Sequence, residues 1–428
     1  MKLTKKGYIP RLIDKEIKEN LEIFGAISIE GPKWCGKTWT ALNHSNSVTY
    51  LNNTADNFRE KHLAEMDVNL ILDKDKPELI DEWQEVPAIW DAVRFKCDED
   101  NEKGKYILTG SSVPVSDKIH HSGAGRICKM KMYTMSLYES GDSTGEVSLK
   151  DLFENKVKNK LVEKVELKRL AELIVKGGWP EAINISVNGA MKITRSYIEA
   201  VLDKDIIEID GVNRDKQKME MLLRSLARNE STISTNSVLI KDIEDNITES
   251  DLIISRNTVA DYLDVLNKLH LIENQKSFMY KIRSRLNVGK NPKRHLVDPS
   301  LGCAILNITP EKLINDLETM GLYFEALCER DLKIYADAMN ASLSYFRDKN
   351  DFEVDVILRN ANGKWGAIEI KLGAGYINEA ANNLLKFKER VDIEKCGEPL
   401  FLMVLTGADY SYKRDDGVYV VSIGNLKN

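Results

Sequence analysis

The stretch Gly31-Pro32-Lys33-Trp34-Cys35-Gly36-Lys37-Thr38 constrains this chain more than any other feature. It matches the G-x-x-x-x-G-K-[ST] pattern at every fixed position, a coincidence expected in roughly one chain in a hundred of this length. Ala26 to Glu30 alternates like a strand before it, and Thr38 to Asn43 begins a helix after it, so the required strand, loop, helix order is present. In that order the loop's backbone N–H groups and the helix N-terminus cradle phosphates. Lys37 then neutralises the β and γ oxygens and Thr38 ligates Mg²⁺, which makes ATP and Mg²⁺ the expected ligands. Gly31, Pro32, Lys33, Trp34, Cys35, Gly36 and Trp39 complete the predicted nucleotide contacts.

A P-loop needs a second strand that brings an acidic partner for the metal, and Leu79-Ile80-Asp81-Glu82 supplies one about forty residues on. Asp81 is expected to hold the Mg²⁺ shell and Glu82 to orient or deprotonate the attacking water. A third strand, Tyr106-Ile107-Leu108, ends in Thr109-Gly110-Ser111-Ser112, which sets small hydroxyl residues where α/β sheets bind ligands. Either Thr109 or Ser111 is a candidate γ-phosphate sensor, and a plain satisfied turn accounts for them equally well.

Composition narrows what surrounds this site. The 428 residues are 43 % apolar, enough for two to four domains with buried cores. With 61 Lys and Arg against 67 Asp and Glu, the net charge is only −6, so any nucleic-acid surface must be local. No apolar run reaches the roughly 18 residues of a membrane span, and the start carries no signal-peptide pattern, so a cytoplasmic, non-membrane protein is expected. Six cysteines form no C-x-x-C pair, and the His120-His121 pair lacks patterned partners, which argues against zinc sites and disulfides.

Tyr8-Ile9-Pro10-Arg11, the P-loop, Leu79-Ile80-Asp81-Glu82-Trp83-Gln84, Ile107-Leu108-Thr109-Gly110-Ser111-Ser112, Gly125-Arg126 and Gly177-Gly178-Trp179-Pro180-Glu181 stand along the chain in that order. Together they resemble a widespread prokaryotic family of AAA-type ATP-binding proteins that join the ATPase to a carboxy-terminal domain of unknown function. The resemblance runs over nearly the full chain. It implies an AAA+-like α/β core with a helical lid, and it makes Arg126 a candidate arginine finger acting on its own or a neighbouring subunit's nucleotide. A surface role for Arg126 is the alternative.

Residues 151–225 are predicted to be that lid, with helices over Leu152–Leu173 and Ile193–Ile209. Arg224 and Arg228, four apart on one helix face, are candidate second sensors. Residues 226–310 read as a winged helix: a short helix at Val238–Ile243, a second capped by Ser255-Arg256-Asn257-Thr258, then a strand from Leu271. Gln275 to Arg294 carries Lys276, Lys281, Arg283, Arg285, Lys290, Lys293 and Arg294 with no acidic residue. Such a patch suits a wing against a nucleic-acid backbone, with double-stranded DNA the expected partner; a solvated hairpin, or a clamp onto the acidic partner domains, is the alternative.

Residues 311–428 hold a second chemistry. Phe352–Leu358 and Trp365–Leu372 are alternating strands around Asn360-Ala361-Asn362-Gly363, and a hairpin centred near Asn362 sets Asp355 level with Glu369, with Lys371 further along the same face. Two carboxylates and a lysine in this D…E-x-K arrangement can hold Mg²⁺ and position water for phosphodiester cleavage. The same E-x-K spacing at Glu16, Glu154 and Glu166 lies in helical or linker contexts. Glu325, in the helix Gly321–Leu327 upstream, is a further metal-side carboxylate. The pattern resembles the PD-(D/E)xK nuclease fold, which implies a restriction-endonuclease-like α/β domain; a salt-bridged hairpin on an inactive scaffold is the alternative.

The expected molecule is thus an α/β multidomain protein: a P-loop core over 1–150, a lid over 151–225, a winged helix over 226–310 and a nuclease-like domain over 311–428. It is expected to be an ATPase acting on DNA, or else a nucleotide-dependent switch that binds a protein partner or a second copy of itself.

Overall fold

A computed structural model of the chain describes residues 3–112, 121–154, 156, 166–246, 254–278, 291–408 and 410–428. His120, Lys281, Arg283, Arg285, Lys290 and the middle of the predicted 152–173 helix lie outside them. The chain alternates between two compact units. One comprises Met1–Thr134, Asp203–Arg214 and Asp264–Leu271; the other comprises Met135–Leu202, Asp215–Leu263 and Ile272–Asn428.

The first unit is built on a parallel sheet of β1 (Ala26–Glu30), β2 (Ser47–Tyr50), β3 (Glu78–Asp81), β4 (Tyr106–Gly110) and β5 (Ile127–Lys131), in the order β2-β3-β4-β1-β5. Alternation explains why both faces are apolar. Ile27, Ile29, Leu79 and Ile107 point into one core with Ile17, Ala41 and Leu42. Ala26, Ile80, Tyr106 and Leu108 point into the other with Trp83, Trp90 and Val93. A parallel sheet covered on both sides places its ligand site at the carboxyl ends of the strands, where the P-loop leaves β1.

The second unit contains β6 (Val147–Ser148), β7 (Ile272–Ser277), β8 (Lys293–Leu296), β9 (Ala341–Arg347), β10 (Glu353–Asn360), β11 (Trp365–Lys371), β12 (Leu402–Thr406), β13 (Tyr412–Lys413), β14 (Tyr419–Ser422) and β15 (Leu426–Lys427). Its main sheet runs β13-β14-β12-β11-β10-β9-β7-β8, and β6 pairs with β15 apart from it. Helix Ile377–Arg390 covers one face, packing Ala380, Leu384 and Phe387 onto Ile357, Trp365, Ala367 and Val404.

The helices Asn236–Glu244 and Arg256–Lys268 and the antiparallel pair β7–β8 follow the order read as a winged helix. The hairpin differs from a free wing, because β7 also pairs in parallel with β9 and so extends the large sheet. Backbone pairing satisfies polar groups that an exposed wing would leave to water. In the predicted lid, helices occupy Leu167–Lys176, Val187–Ala200 and Lys216–Arg228, with a π-helical turn at Val201–Asp205.

Candidate functional site

Gly36, at φ 101°, turns the chain into the helix Lys37–His44, a backbone shape open to glycine. Gly31 is equally constrained, since a Cβ there would lie 2.2 Å from the Met132 carbonyl oxygen. Arg11 ties this geometry down: its buried guanidinium donates to the carbonyls of Cys35 at 2.8 Å and of Tyr133 and Thr134 at 2.9 Å. The sequence flagged Arg11 only as part of a motif.

Lys37 is buried and folds back over the loop, donating to the carbonyls of Gly31 and Pro32 at 2.9 Å each. Thr38 Oγ1 donates to Asp81 Oδ1 at 2.8 Å, and Thr109 Oγ1 donates to the same oxygen at 2.7 Å. Burial pushes the Asp81 carboxyl up and nearby Glu82 adds to that, while the two threonine hydroxyls and Lys37 oppose them. Glu82 sits in left-handed backbone at φ 59°, where it receives the Ser111 hydroxyl at 3.1 Å and the Gln84 amide. Thr109 is therefore committed to Asp81 and Ser111 to Glu82.

Lys33 pairs with Asp205 at 2.6 Å, at the end of the π-helical turn. Lys33, Gln84, Ser111, Asp205 and Leu269 line a cavity of about 310 Å³ beside the acidic pair. Asp205 and Leu269 come from distant sequence, so no local pattern could have pointed to them. Cys35 is buried, whereas Trp34 and Trp39 are half-exposed.

Arg126 immediately precedes β5, whose first residue, Ile127, pairs with Ala26 at the start of β1. That is the amino edge of the parallel sheet, opposite the P-loop, and the side chain pairs with Asp98. The expectation that Arg126 reaches its own chain's nucleotide is corrected by this placement: five strand residues, roughly 17 Å, intervene. Arg224 pairs with Glu220 at 2.9 Å and Arg228 with Asp242 at 2.7 Å, both as surface ion pairs.

In the second unit the hairpin register, Val356 to Ile368, sets Asp355 opposite Glu369 one step further on. Lys371 Nζ lies 3.0 Å from Glu369 and 3.6 Å from Asp355. Between Val354 and Ile357 the β9–β10 register shifts, an irregularity of the kind that re-aims side chains near sites. Asp355 Oδ2 accepts the Ile370 N–H at 2.8 Å, and its carbonyl accepts the Gln275 amide at 2.9 Å. Asn383 donates to Glu369 at 2.6 Å.

Glu325 joins this group through Lys293, which the sequence placed in a basic wing. Lys293 is instead buried, 2 % exposed, in contact with Glu325 and 3.4 Å from Glu329, 3.7 Å from Glu353 and 4.0 Å from Asp355. Burial and neighbouring carboxylates, chiefly Asp355, push Glu325 and Glu369 up to about 8 against the opposing pull of Lys293 and Lys371 respectively. Among the described residues, no three His, Cys, Asp or Glu side chains are spaced to hold a metal ion as they stand.

Residues 24–141, which span the P-loop, Asp81-Glu82 and Ser111, match the model of the AAA domain. The chain contains an AAA-type P-loop core. Residues 167–312 match a domain of unknown function (DUF8612) and residues 320–426 another (DUF4143). An uncharacterized protein of Methanocaldococcus jannaschii, MJ1544, is 27 % identical over 266 residues, 61 % of this chain, and the alignment covers 54 % of that relative. The chain thus spans about half the length of the curated relative it matches. Among solved structures, a Walker-type ATPase of Pyrococcus abyssi, PABY2304, aligns at TM-score 0.44 and 14 % identity over 71 % of this chain and 98 % of that one. AMPPCP-bound DnaA from Aquifex aeolicus aligns at 0.26 and 14 % over 62 % and 91 %. The Aeropyrum pernix ORC1 protein in complex with DNA aligns at 0.26 and 12 % over 73 % and 96 %. Among the described residues no helix is long and apolar enough to cross a membrane.

Proposed function

We propose that the protein is a Mg²⁺-dependent ATPase that acts on DNA, with its carboxy-terminal carboxylate-lysine site as the seat of phosphodiester cleavage. One observation carries the ATPase reading: Thr38 and Thr109 both donate to one oxygen of Asp81, beside Glu82 held by Ser111 and Gln84. Thr38 and Asp81 are hard oxygen donors 2.8 Å apart, which suits Mg²⁺. Thr38 and Asp81 would hold the ion, which would supply neutralising charge to the phosphate oxygens of ATP. Lys37 leaves the Gly31 and Pro32 carbonyls to meet the β and γ oxygens, and Glu82 takes up and orients the attacking water. Arg126 is left to act, if as a finger, on a neighbouring copy's nucleotide.

Support for cleavage is the convergence of Asp355, Glu369 and Lys371 within 4 Å contacts on the face covered by helix Ile377–Arg390. The donor set is carboxylate oxygen, the hard donor that a divalent cation takes. Asp355, Glu369 and Glu325 would hold that cation, and Lys371 would hold the water that attacks phosphorus.

The test is ATP turnover by wild type and Lys37→Ala, with and without duplex DNA, at low and moderate salt. Turnover that needs Lys37 and rises with DNA, with DNA affinity falling steeply as salt rises, is the expected result. Tight ATP binding with negligible turnover and no DNA response overturns it in favour of a switch that engages a protein. Glu369→Ala and Lys371→Ala should abolish Mg²⁺-dependent nicking; nicking that survives both is not from this site.

A further inference from the structure

The carboxy-terminal cluster has a problem of charge. Glu325 and Glu329, one turn apart on the helix Leu317–Ala338, Glu353 and Asp355 on β10, and Glu369 on β11 bring five carboxylates together in one compact unit. Lys371 answers two of them and is one-third exposed. Arg347 faces Glu353 at 3.6 Å and His295 faces Glu329; the cation at the centre is Lys293, whose ammonium lies within 4.0 Å of four carboxylates from two elements and is 2 % exposed. Convergence of carboxylates from different elements on one buried point is what a divalent oxygen site requires, and here an ammonium stands on that point.

A second observation points to an incoming ligand. Gln275 lies opposite Lys293 in the β7–β8 register and is buried. Its amide nitrogen donates to the Asp355 carbonyl, while its carbonyl oxygen Oε1 is buried without a partner. A buried acceptor left open costs free energy, and it is an oxygen of the type that a hard cation takes.

We propose that Lys293 is the resident cation of the carboxy-terminal site, and that its ammonium and a divalent cation are alternative occupants of the carboxylate cluster. Metal loading then requires Lys293 to withdraw from Glu325 and Asp355, and the site is closed to metal while Lys293 is seated. This rests on the reading of Asp355, Glu369 and Glu325 as a divalent-cation site.

The experiment uses the full chain without nucleotide, in a Lys37→Ala background that silences the P-loop, with Mn²⁺ as the probe and free Mn²⁺ counted by electron paramagnetic resonance. Lys293→Gln should bind Mn²⁺ at least about 10-fold tighter than the parent, because a unit charge about 4 Å away has been removed. It should also lose thermal stability in chelator and regain it in Mn²⁺ more than the parent does, while NaCl of equal ionic strength does not restore it. Lys293→Arg keeps the charge and should show no gain in affinity. If Lys293→Gln is unfolded in chelator, recovery in Mn²⁺ supports exchange and failure to recover counts against it. A folded Lys293→Gln that binds Mn²⁺ no tighter than a parent that does bind it overturns the proposal and leaves Lys293 a structural counter-ion. If neither binds Mn²⁺ and Asp355→Asn changes nothing, the divalent-cation reading itself fails, and this proposal with it.

Discussion

Glu82 shows what a single residue is asked to do. Its left-handed backbone at φ 59° is uncommon for a side chain with a Cβ, and such strain persists where the surrounding contacts over-determine it. The contacts are the Ser111 hydroxyl and the Gln84 amide, which hold the carboxylate beside Asp81 without neutralising it. Glu82→Gln should therefore keep ATP binding and lower phosphate release by roughly 10²- to 10⁴-fold, measured as nucleotide affinity and turnover on the same preparation. His295 is the second case. Burial alone would lower its pKa, but Glu329 and Glu230 outweigh burial and raise it to about 10. A group raised from 6.5 in the unfolded chain stabilises the fold fully below pH 6.5, and that contribution is lost as pH rises through about 10. Melting temperature should fall across this window, and His295→Gln should flatten the fall; an unchanged slope would contradict the pairing. The Asp81-Glu82 pair was legible in sequence because it ends a strand. The partners of His295 were not, because Glu230 lies sixty-five positions away and Glu329 thirty-four.

A motif without assigned chemistry acquires a role as an element. Gly177-Gly178-Trp179-Pro180 meets Asp298-Pro299-Ser300: the Gly178 N–H donates to Asp298 at 2.9 Å, and Trp179 Nε1 donates to Ser300 at 2.9 Å. Asp298 also caps the helix Pro299–Leu306 and receives Arg330 at 3.1 Å, so one carboxylate joins three segments of the second unit. Gly177 is at φ 71°, and a Cβ on Gly178 would lie 2.1 Å from the Met135 carbonyl oxygen. Backbone cannot yield to that contact as a flexible side chain would, so Gly178→Ala should cost about 3 kcal/mol in denaturant unfolding. A loss within 0.5 kcal/mol, the usual range for an exposed site, would contradict the packing. The β10–β11 hairpin was readable from its turn and alternation, since a period of two leaves one register that buries the apolar set. The fate of β7 was not, because a strand's second partner is chosen by the sheet that offers an edge.

At the scale of the whole molecule, the chain passes back and forth between its two units, whereas its sequence divides most naturally into four consecutive stretches. The consequence is testable on residues 311–428, which contain the carboxylate cluster but omit β7, β8, Lys293 and His295. Expressed alone, this segment exposes the β9 edge and leaves Glu325, Glu329 and Asp355 without their buried cation. It should aggregate or melt well below the full chain, and a segment that begins before Ile272 should recover; size-exclusion chromatography and thermal melts separate the outcomes. A stable, monomeric 311–428 would contradict the role given to β7 and Lys293.

Covalent spacing encodes the P-loop, the acidic strand end and the register that levels Asp355 with Glu369. Each depends on residues a few positions apart on one element or one tight turn, where geometry follows from the backbone period. The burial of Lys293 among carboxylates, the pairing of Lys33 with Asp205 and the place of Arg126 at the far end of its sheet come instead from the packing of distant segments. Those outcomes depend on which strands become neighbours, and burial reverses the meaning of a charge: a lysine that would serve as a contact in water becomes, once desolvated, the counter-ion its neighbours require.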